Sequence, residues 1–102
     1  MSDDSLKYVR TGAMIPRRVA GETLLVPRAA KSISAQRRGA ELFVLNESGD
    51  ALWRVLETPR SVHDLARNLI ETYDISTSQA AADVDVFVQS MLAIGAIAEV
   101  NG

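Results

Sequence analysis

Glu41-Leu42-Phe43-Val44-Leu45-Asn46 is an apolar strand pattern that runs directly into three helical patterns. Because side chains alternate along a strand, Leu42 and Val44 point to one face, and Phe43 and Leu45 point to the other. Both faces are therefore apolar, and each needs a cover. One cover is the core of the domain. The second is another part of this chain, a second copy of it, or a bound segment, and that choice is the functional question.

Three helices are predicted after this strand. Asn46 is a good N-cap for the first helix, and Ser61, followed by Asp64, resembles the capping box that opens a second. The third helix extends from about Thr77 to Ile94 and ends at Gly95. Apolar residues repeat at helical spacing on the faces expected to be buried, namely Leu65, Ala66, Leu69, Ile70 and Tyr73 in the second helix, and Val84, Phe87, Val88, Met91 and Leu92 in the third.

A β-hairpin is predicted upstream of the apolar strand, over residues 14–19 and 23–26. Pro16 has no N–H to offer a ladder, so the first hairpin strand is expected at a sheet edge and the second inside the sheet. Residues 96–100 are expected to form a short closing strand. The predicted fold class is therefore α+β and winged-helix-like, with a small three-stranded antiparallel sheet followed by a three-helix bundle.

One domain is expected, because 102 residues that are 47% hydrophobic suffice for one core and are too few for two. Residues 1–12 are polar and are predicted to be a flexible N-terminal tail, so the domain is expected to occupy 13–102. Residues 28–39 form a long connection that carries four positive charges between Arg28 and Arg38. A solvated basic loop is the simpler explanation of this segment, and a site for an anionic ligand is the alternative.

Neither a catalytic site nor a metal or cofactor site is predicted. The chain has no cysteine, and its six glycines are scattered rather than gathered into a phosphate-binding loop. His63 is the only histidine, and the sequence offers no nucleophile held against it, so a solvated or locally bonded role is expected. Asp83 and Asp85 face different ways on a helix and lack a histidine at ligand spacing. Trp53 and Met91 fit the helical stripes and are expected in the core.

The charge pattern argues against nucleic acid and membrane partners. The formal net charge of −2 gives no overall attraction to phosphate or anionic lipid. The third helix, which would read DNA in a winged helix, has neither Lys nor Arg and carries Asp83 and Asp85. The first residues are acidic and polar and predict neither a secretory signal nor a membrane anchor. A cytoplasmic location is therefore expected.

Several short motifs occur in a recognisable order between residues 14 and 100. They are Ile15-Pro16-Arg17, Val44-Leu45-Asn46, Leu52-Trp53-Arg54-Val55-Leu56, Ser61-Val62-His63-Asp64-Leu65, Leu69, Tyr73, Asp83-Val84, Phe87-Val88, Met91 and Gly95-Ala96-Ile97. This ordered set resembles the PqqD family. The family comprises small winged-helix-like peptide chaperones, also called RiPP recognition elements. They hold the leader of a ribosomally synthesised precursor peptide for a modifying enzyme, often a radical SAM protein.

The resemblance implies that a leader peptide pairs with the free edge of the third strand and lies in a groove against the third helix. In such strand addition, backbone groups supply affinity and side-chain pockets add selectivity. The implied partners are a precursor peptide and a radical SAM or other RiPP-modifying enzyme, without a cofactor. The implied peptide-binding residues are Glu41, Leu42, Phe43, Val44, Leu45 and Asn46 on the strand, and Asp83, Val86, Phe87 and Ser90 on the helix.

Two departures from the PqqD pattern leave the pathway open between PQQ biosynthesis and another RiPP. The segment 28–38 replaces a Tyr-Pro-Glu-Gly-like turn, and residues 57–60 replace an Asp-Gly after the first helix. Two other functions are alternatives to the peptide chaperone. One is a DNA-binding winged-helix regulator that uses the basic segment to contact phosphates. The other is a structural homodimer in which the third strand pairs with a second copy.

Overall fold

The computed structural model describes residues 6–28 and 43–101, the side chain of residue 101 excepted. Within these ranges two three-stranded antiparallel sheets form, in the orders β2-β3-β4 and β5-β1-β6. The predicted α+β class, with a small antiparallel sheet and three helices, is confirmed. In chain order the elements are β1 (Leu6–Arg10), β2 (Met14–Val19), β3 (Glu22–Pro27), β4 (Phe43–Leu45), α1 (Glu47–Val55), β5 (Arg60–Ser61), α2 (Val62–Tyr73), α3 (Thr77–Ala93) and β6 (Ile97–Asn101).

The predicted hairpin is formed by β2 and β3. Its two-residue loop, Ala20-Gly21, has φ angles of 53° and 83°, which is the left-handed geometry that matches the twist of two antiparallel strands. Glycine adopts this conformation at no steric cost, whereas Ala20 is strained by it. β2 lies at one edge of the sheet and β3 is internal, as Pro16 indicated.

The N-terminal segment corrects the predicted tail. Residues 6–10 form β1, which pairs with β6 from Leu6↔Asn101 to Arg10↔Ile97 and also with β5. The prediction of a flexible tail over 1–12 is therefore wrong for residues 6–10, while 1–5 lie outside the described residues. β1 is short, and its partner β6 lies about 90 residues later in the sequence, so no local sequence pattern predicted that the two strands pair. The expected closing strand is confirmed as β6.

The ends of the helices follow the predicted capping residues. The Asn46 side chain accepts a hydrogen bond from Gly49 N–H at 2.8 Å at the start of α1. Ser61 and Asp64 form a full capping box on α2, with bonds of 3.0 and 3.2 Å. After α3, Gly95 adopts φ 74°, and the N–H groups of residues 95 and 96 bond back to carbonyls 92 and 91, as in a Schellman motif.

The helical stripes predicted from the sequence lie in the core. Leu65, Leu69 and Val84 are fully buried, and Trp53 and Met91 are only 4% and 2% exposed, which confirms their assignment as core residues. The remaining stripe residues are either buried or packed against this cluster. Strands from both sheets contribute to the same core, which also contains Tyr8, Met14, Leu25, Leu45, Leu52, Leu56, Ala80, Phe87, Val88, Ala96 and Ile97.

Replacing Ser61 with alanine is expected to lower the free energy of unfolding by about 1 kcal/mol, because the Asp64 N–H loses its capping acceptor. The bonds from Ser61, first from its backbone N–H, hold the pKa of Asp64 below its ordinary value. The stabilisation from this carboxylate is therefore present above the unfolded-state pKa of about 3.9 and is lost as pH falls through the lower folded-state pKa. Urea titrations of the wild type and of Asp64→Asn between neutral and acidic pH would measure this loss.

Ser78→Ala is the matched control, because Ser78 is also near the start of a helix but caps nothing. It is expected to change the stability by less than about 0.5 kcal/mol. Equal effects of the two serine substitutions would contradict the capping role of Ser61.

Candidate functional site

A groove of about 360 Å³ lies between β4, the start of α1 and α3. Every predicted peptide-binding residue that the structure describes lines it, whereas Glu41 and Leu42 lie outside the described residues. The structure thus brings the predicted strand and helix residues together around one open space. The lining residues are Phe43, Val44, Leu45, Asn46, Ser48, Gly49, Leu52, Asp83, Val86, Phe87, Ser90 and Met91.

One edge of β4 is unpaired within the described part of the chain. β4 pairs with β3 through Thr23↔Leu45, Leu24↔Val44 and Leu25↔Phe43, and no described strand pairs with its other side. A strand edge of this kind presents N–H and C=O groups that another extended chain can bind. The edge therefore has the backbone geometry for strand addition.

The hydrogen-bond pattern of the hairpin identifies which residue of β4 faces outward. Arg28 N–H donates to Ala13 C=O at 2.8 Å, so residues 13 and 28 are a hydrogen-bonded pair. Bonded and non-bonded pairs alternate along an antiparallel ladder, so Arg17↔Leu24, four residues further along β2, is also a bonded pair. Leu24 therefore directs its backbone groups toward β2, whereas Thr23 and Leu25 direct theirs toward β4. It follows that Leu45 and Phe43 bond to β3, and that the N–H and C=O of Val44 point to the free edge.

Two exposed valines flank the groove. Val44 on β4 is 56% exposed and Val86 on α3 is 65% exposed, and both line the groove. Large apolar side chains that are exposed on a helix and on a facing strand indicate an interaction surface when they share one concavity. The prediction that Val86 lies off the core stripe of α3 is confirmed.

The deeper part of the groove belongs to the core. Leu52 and Met91 are 1% and 2% exposed, and Phe87, at 8%, borders the core and the groove together, as predicted. These side chains are fixed by packing, so the groove is preformed rather than assembled by a ligand. Met91 was expected only in the core, so its contact with the groove is a finding of the structure.

Among the described residues that line the groove, Asp83 is the only charged one. Its carboxylate accepts a hydrogen bond from the Gln79 side chain at 2.8 Å, which orients it. An acid near the start of a helix can also stabilise that helix through its dipole, but no acidic residue lies in the first turn of α3, and the dipole effect fades beyond that turn. Asp83 is better placed to meet a cation at the groove.

The β4–α1 junction forms one end of the groove and contains residues that sequence reasoning missed. A Cβ on Gly49 would lie 3.1 Å from Asn46 Oδ1 and 3.6 Å from Leu45 Cδ2, so a side chain there would crowd the cap. Glycine thus lets the first turn of α1 pack close to β4. A glycine in the first turn of a predicted helix was the available signal, whereas nothing in the sequence pointed to Ser48 or Leu52.

A polar network fixes α1 against the hairpin beside this junction. The hydroxyl of Thr23, which is only 3% exposed, donates to Asp50 at 2.8 Å and accepts from Arg18 at 2.9 Å. Asp50 also forms ion pairs with Arg54 at 3.0 Å and with Arg18 at 3.6 Å. These contacts join β2, β3 and α1, so the position of α1 relative to the sheet is set independently of any ligand.

No chemistry beyond binding is apparent in the described residues. His63 is exposed and contacts Arg67 at 3.4 Å, one turn along α2. Over residues 6–28 and 43–101, no cluster of three or more acidic and histidine residues could hold a metal ion. Within the same ranges, the helices are too short or too polar to cross a membrane.

Comparison with protein families identifies the chain. The model of one family, described as "Coenzyme PQQ synthesis protein D (PqqD)", matches residues 24–97, which is well over half of the chain. Neither a curated protein nor a solved structure shows significant similarity. The matched region contains every described residue of the groove. The chain therefore belongs to the PqqD family, a non-catalytic accessory family of coenzyme PQQ synthesis.

Proposed function

We propose that this protein is a peptide chaperone that binds the leader of a ribosomally synthesised precursor peptide and presents it to a modifying enzyme. One observation carries the proposal: the backbone of Val44 faces a strand edge that no other described strand pairs with, and this edge lies beside a preformed groove. Membership of the PqqD family supports it. Both the precursor and its chaperone would be present in the cytoplasm, where the precursor is made.

The leader would bind as an added strand of the β2-β3-β4 sheet. The N–H and C=O of Val44 would bond to one leader residue, and neighbouring leader side chains would enter the groove between Val44 and Val86. Burying roughly 400 Å² of apolar surface contributes about 10 kcal/mol before costs. Ordering a flexible leader and losing its free motion remove a large part of this, so a dissociation constant on the order of micromolar is expected.

The modification itself would belong to the partner enzyme, because the described lining of the groove is made of backbone groups, apolar side chains, the Asn46 amide, two serine hydroxyls and one carboxylate. This set of described residues includes no histidine, cysteine or lysine that could act as a base or nucleophile. A radical SAM enzyme or another RiPP-modifying enzyme would act on the part of the precursor that extends beyond the groove. The family description makes a PQQ-type precursor the first candidate, and precursors of other RiPP pathways are the next.

Calorimetric titration of the chain with synthetic leaders of candidate precursors tests this function. A saturable heat with one leader per chain is expected for the matching precursor. The absence of binding for every precursor encoded near the gene would overturn the proposal.

Two further measurements separate the peptide chaperone from the two alternatives. A homodimer through β4 would appear in light scattering as a dimer that the leader does not dissociate. A DNA-binding regulator would retain labelled DNA in a gel shift with strong salt dependence. α3 has no Lys or Arg and carries Asp83 and Asp85, so no retention is expected.

A further inference from the structure

A second cavity, of about 480 Å³, lies where the turn between β1 and β2 meets the end of α1. It has no residue in common with the peptide groove. The two cavities nevertheless meet at α1, where Leu52 lines the groove and the next residue, Trp53, lines the second cavity. A ligand in the second cavity would therefore leave the groove open.

Two arginines line this cavity, and each is held by one contact. The guanidinium carbon of Arg10 lies 5.3 Å from the centre of the Trp53 ring, within cation–π range. Arg28 donates its Nε–H to the Gly12 carbonyl at 2.9 Å. Within residues 6–28 and 43–101, no acceptor bonds the terminal Nη groups of either arginine. Both guanidinium groups are thus oriented, and their terminal Nη donors have no partner among residues 6–28 and 43–101.

The surroundings favour a ligand that is anionic and partly apolar. Glu57 is the one acid among the described residues that line the cavity, and no described ion pair joins it to either arginine. The indole N–H of Trp53 is buried without an acceptor in the described part of the chain. Met14 and Ile15 supply apolar surface in the same cavity. Donors outnumber acceptors here, and the apolar wall would accept a hydrocarbon side chain.

We propose that this cavity binds an acidic, partly apolar peptide segment of a partner protein, through carboxylates on Arg10 and Arg28. The planar guanidinium group matches a carboxylate in a two-point bond, and the bond is stronger because both groups are charged. Two cations beside one acid are too few for a polyphosphate chain, which favours the peptide over nucleic acid. The partner docks in a cavity that shares no lining residue with the groove, so it can dock while the groove is occupied.

Trp53 makes the site directly measurable, because it is the only tryptophan in the chain. The probe is the peptide acetyl-Glu-Leu-Glu-Leu-Glu-amide, and its control is the same peptide with glutamine in place of glutamate. The acidic peptide is expected to shift the tryptophan emission saturably, and the glutamine peptide is not. Calorimetry on the same samples gives the affinity independently of the fluorophore.

The variants Arg10→Gln and Arg28→Gln are each expected to weaken binding about tenfold or more, as expected for the loss of one charged hydrogen bond. Arg17→Gln is the matched control, because Arg17 is exposed on β2 and does not line the cavity. Arg28→Gln leaves the contact between Arg10 and Trp53 intact, so it tests the site even if Arg10→Gln perturbs the fold.

Three results would overturn this proposal: no saturable response at millimolar peptide, an equal loss in Arg17→Gln, or a response to a DNA oligonucleotide but not to the acidic peptide. Val44→Pro is expected to bind the acidic peptide with unchanged affinity. This measurement tests the second site separately from the proposed leader groove, because either binding proposal can be wrong while the other is right.

Discussion

Val44→Pro is expected to weaken leader binding at least about thirtyfold, equivalent to about 2 kcal/mol, while the protein stays folded. The substitution removes the one N–H that β4 is inferred to direct at the free edge, and it places the proline ring where the leader would pair. The bonds from β4 to β3 are made by Phe43 and Leu45, so they survive. Edge strands tolerate proline at outward positions, and Pro16 already occupies such a position on β2.

Val44→Thr is the matched control for this prediction. Threonine keeps the N–H, the branched shape and the strand preference of valine, so leader binding through the backbone is expected to survive. Calorimetry measures both affinities, and urea titration checks that both variants are folded. A folded Val44→Pro protein with wild-type affinity would show that the leader does not pair with this edge.

The sequence was sufficient to predict most elements around the groove. Asn46 and Ser61 suit the start of a helix, and Gly95 suits the position after the end of one, so local chemistry located one end of each of the three helices. The two apolar faces of the strand that contains Val44 likewise signalled a strand with something on both sides. The capping signals are local, and the structure confirmed them. The strand is confirmed as β4, but Val44 is 56% exposed, so the described residues leave its face largely uncovered.

Features that depend on distant pairing were not predictable in the same way. β1 was assigned to a tail because its partner, β6, lies at the other end of the chain. The outward direction of Val44 depends on the register of three strands, which no single segment records. The contribution of Leu52 to the groove depends on how α1 is tied to the hairpin through Asp50, a contact between residues far apart in sequence.

α1 is the element that relates the two sites. Its residues 52 and 53 are buried in the core, and each lines a different one of the two cavities. Because Asp50 and the buried Thr23 fix α1 to the sheet, neither cavity needs to change shape when the other is filled. We therefore expect leader binding and acidic-peptide binding to be additive, with little coupling free energy between them.

Val86→Asp is expected to weaken leader binding at least about tenfold, or about 1.4 kcal/mol. The new carboxylate would lose water when an apolar leader residue covers it, and it would lie one turn from Asp83 on the same face of α3. Val86 is 65% exposed, so the free energy of unfolding should change by less than about 1 kcal/mol. Calorimetric titration with the leader measures the affinity, and urea titration measures the stability.

Val62→Asp separates the groove from general surface charge. Val62 is also an exposed helical valine, at 40%, but it is the first residue of α2 and does not line the groove. An acid at that position suits the helix dipole, so stability and leader affinity are both expected to stay near those of the wild type. If Val62→Asp and Val86→Asp weakened leader binding equally, the effect would come from the change in net charge. That result would contradict the proposal that α3 contacts the leader through Val86.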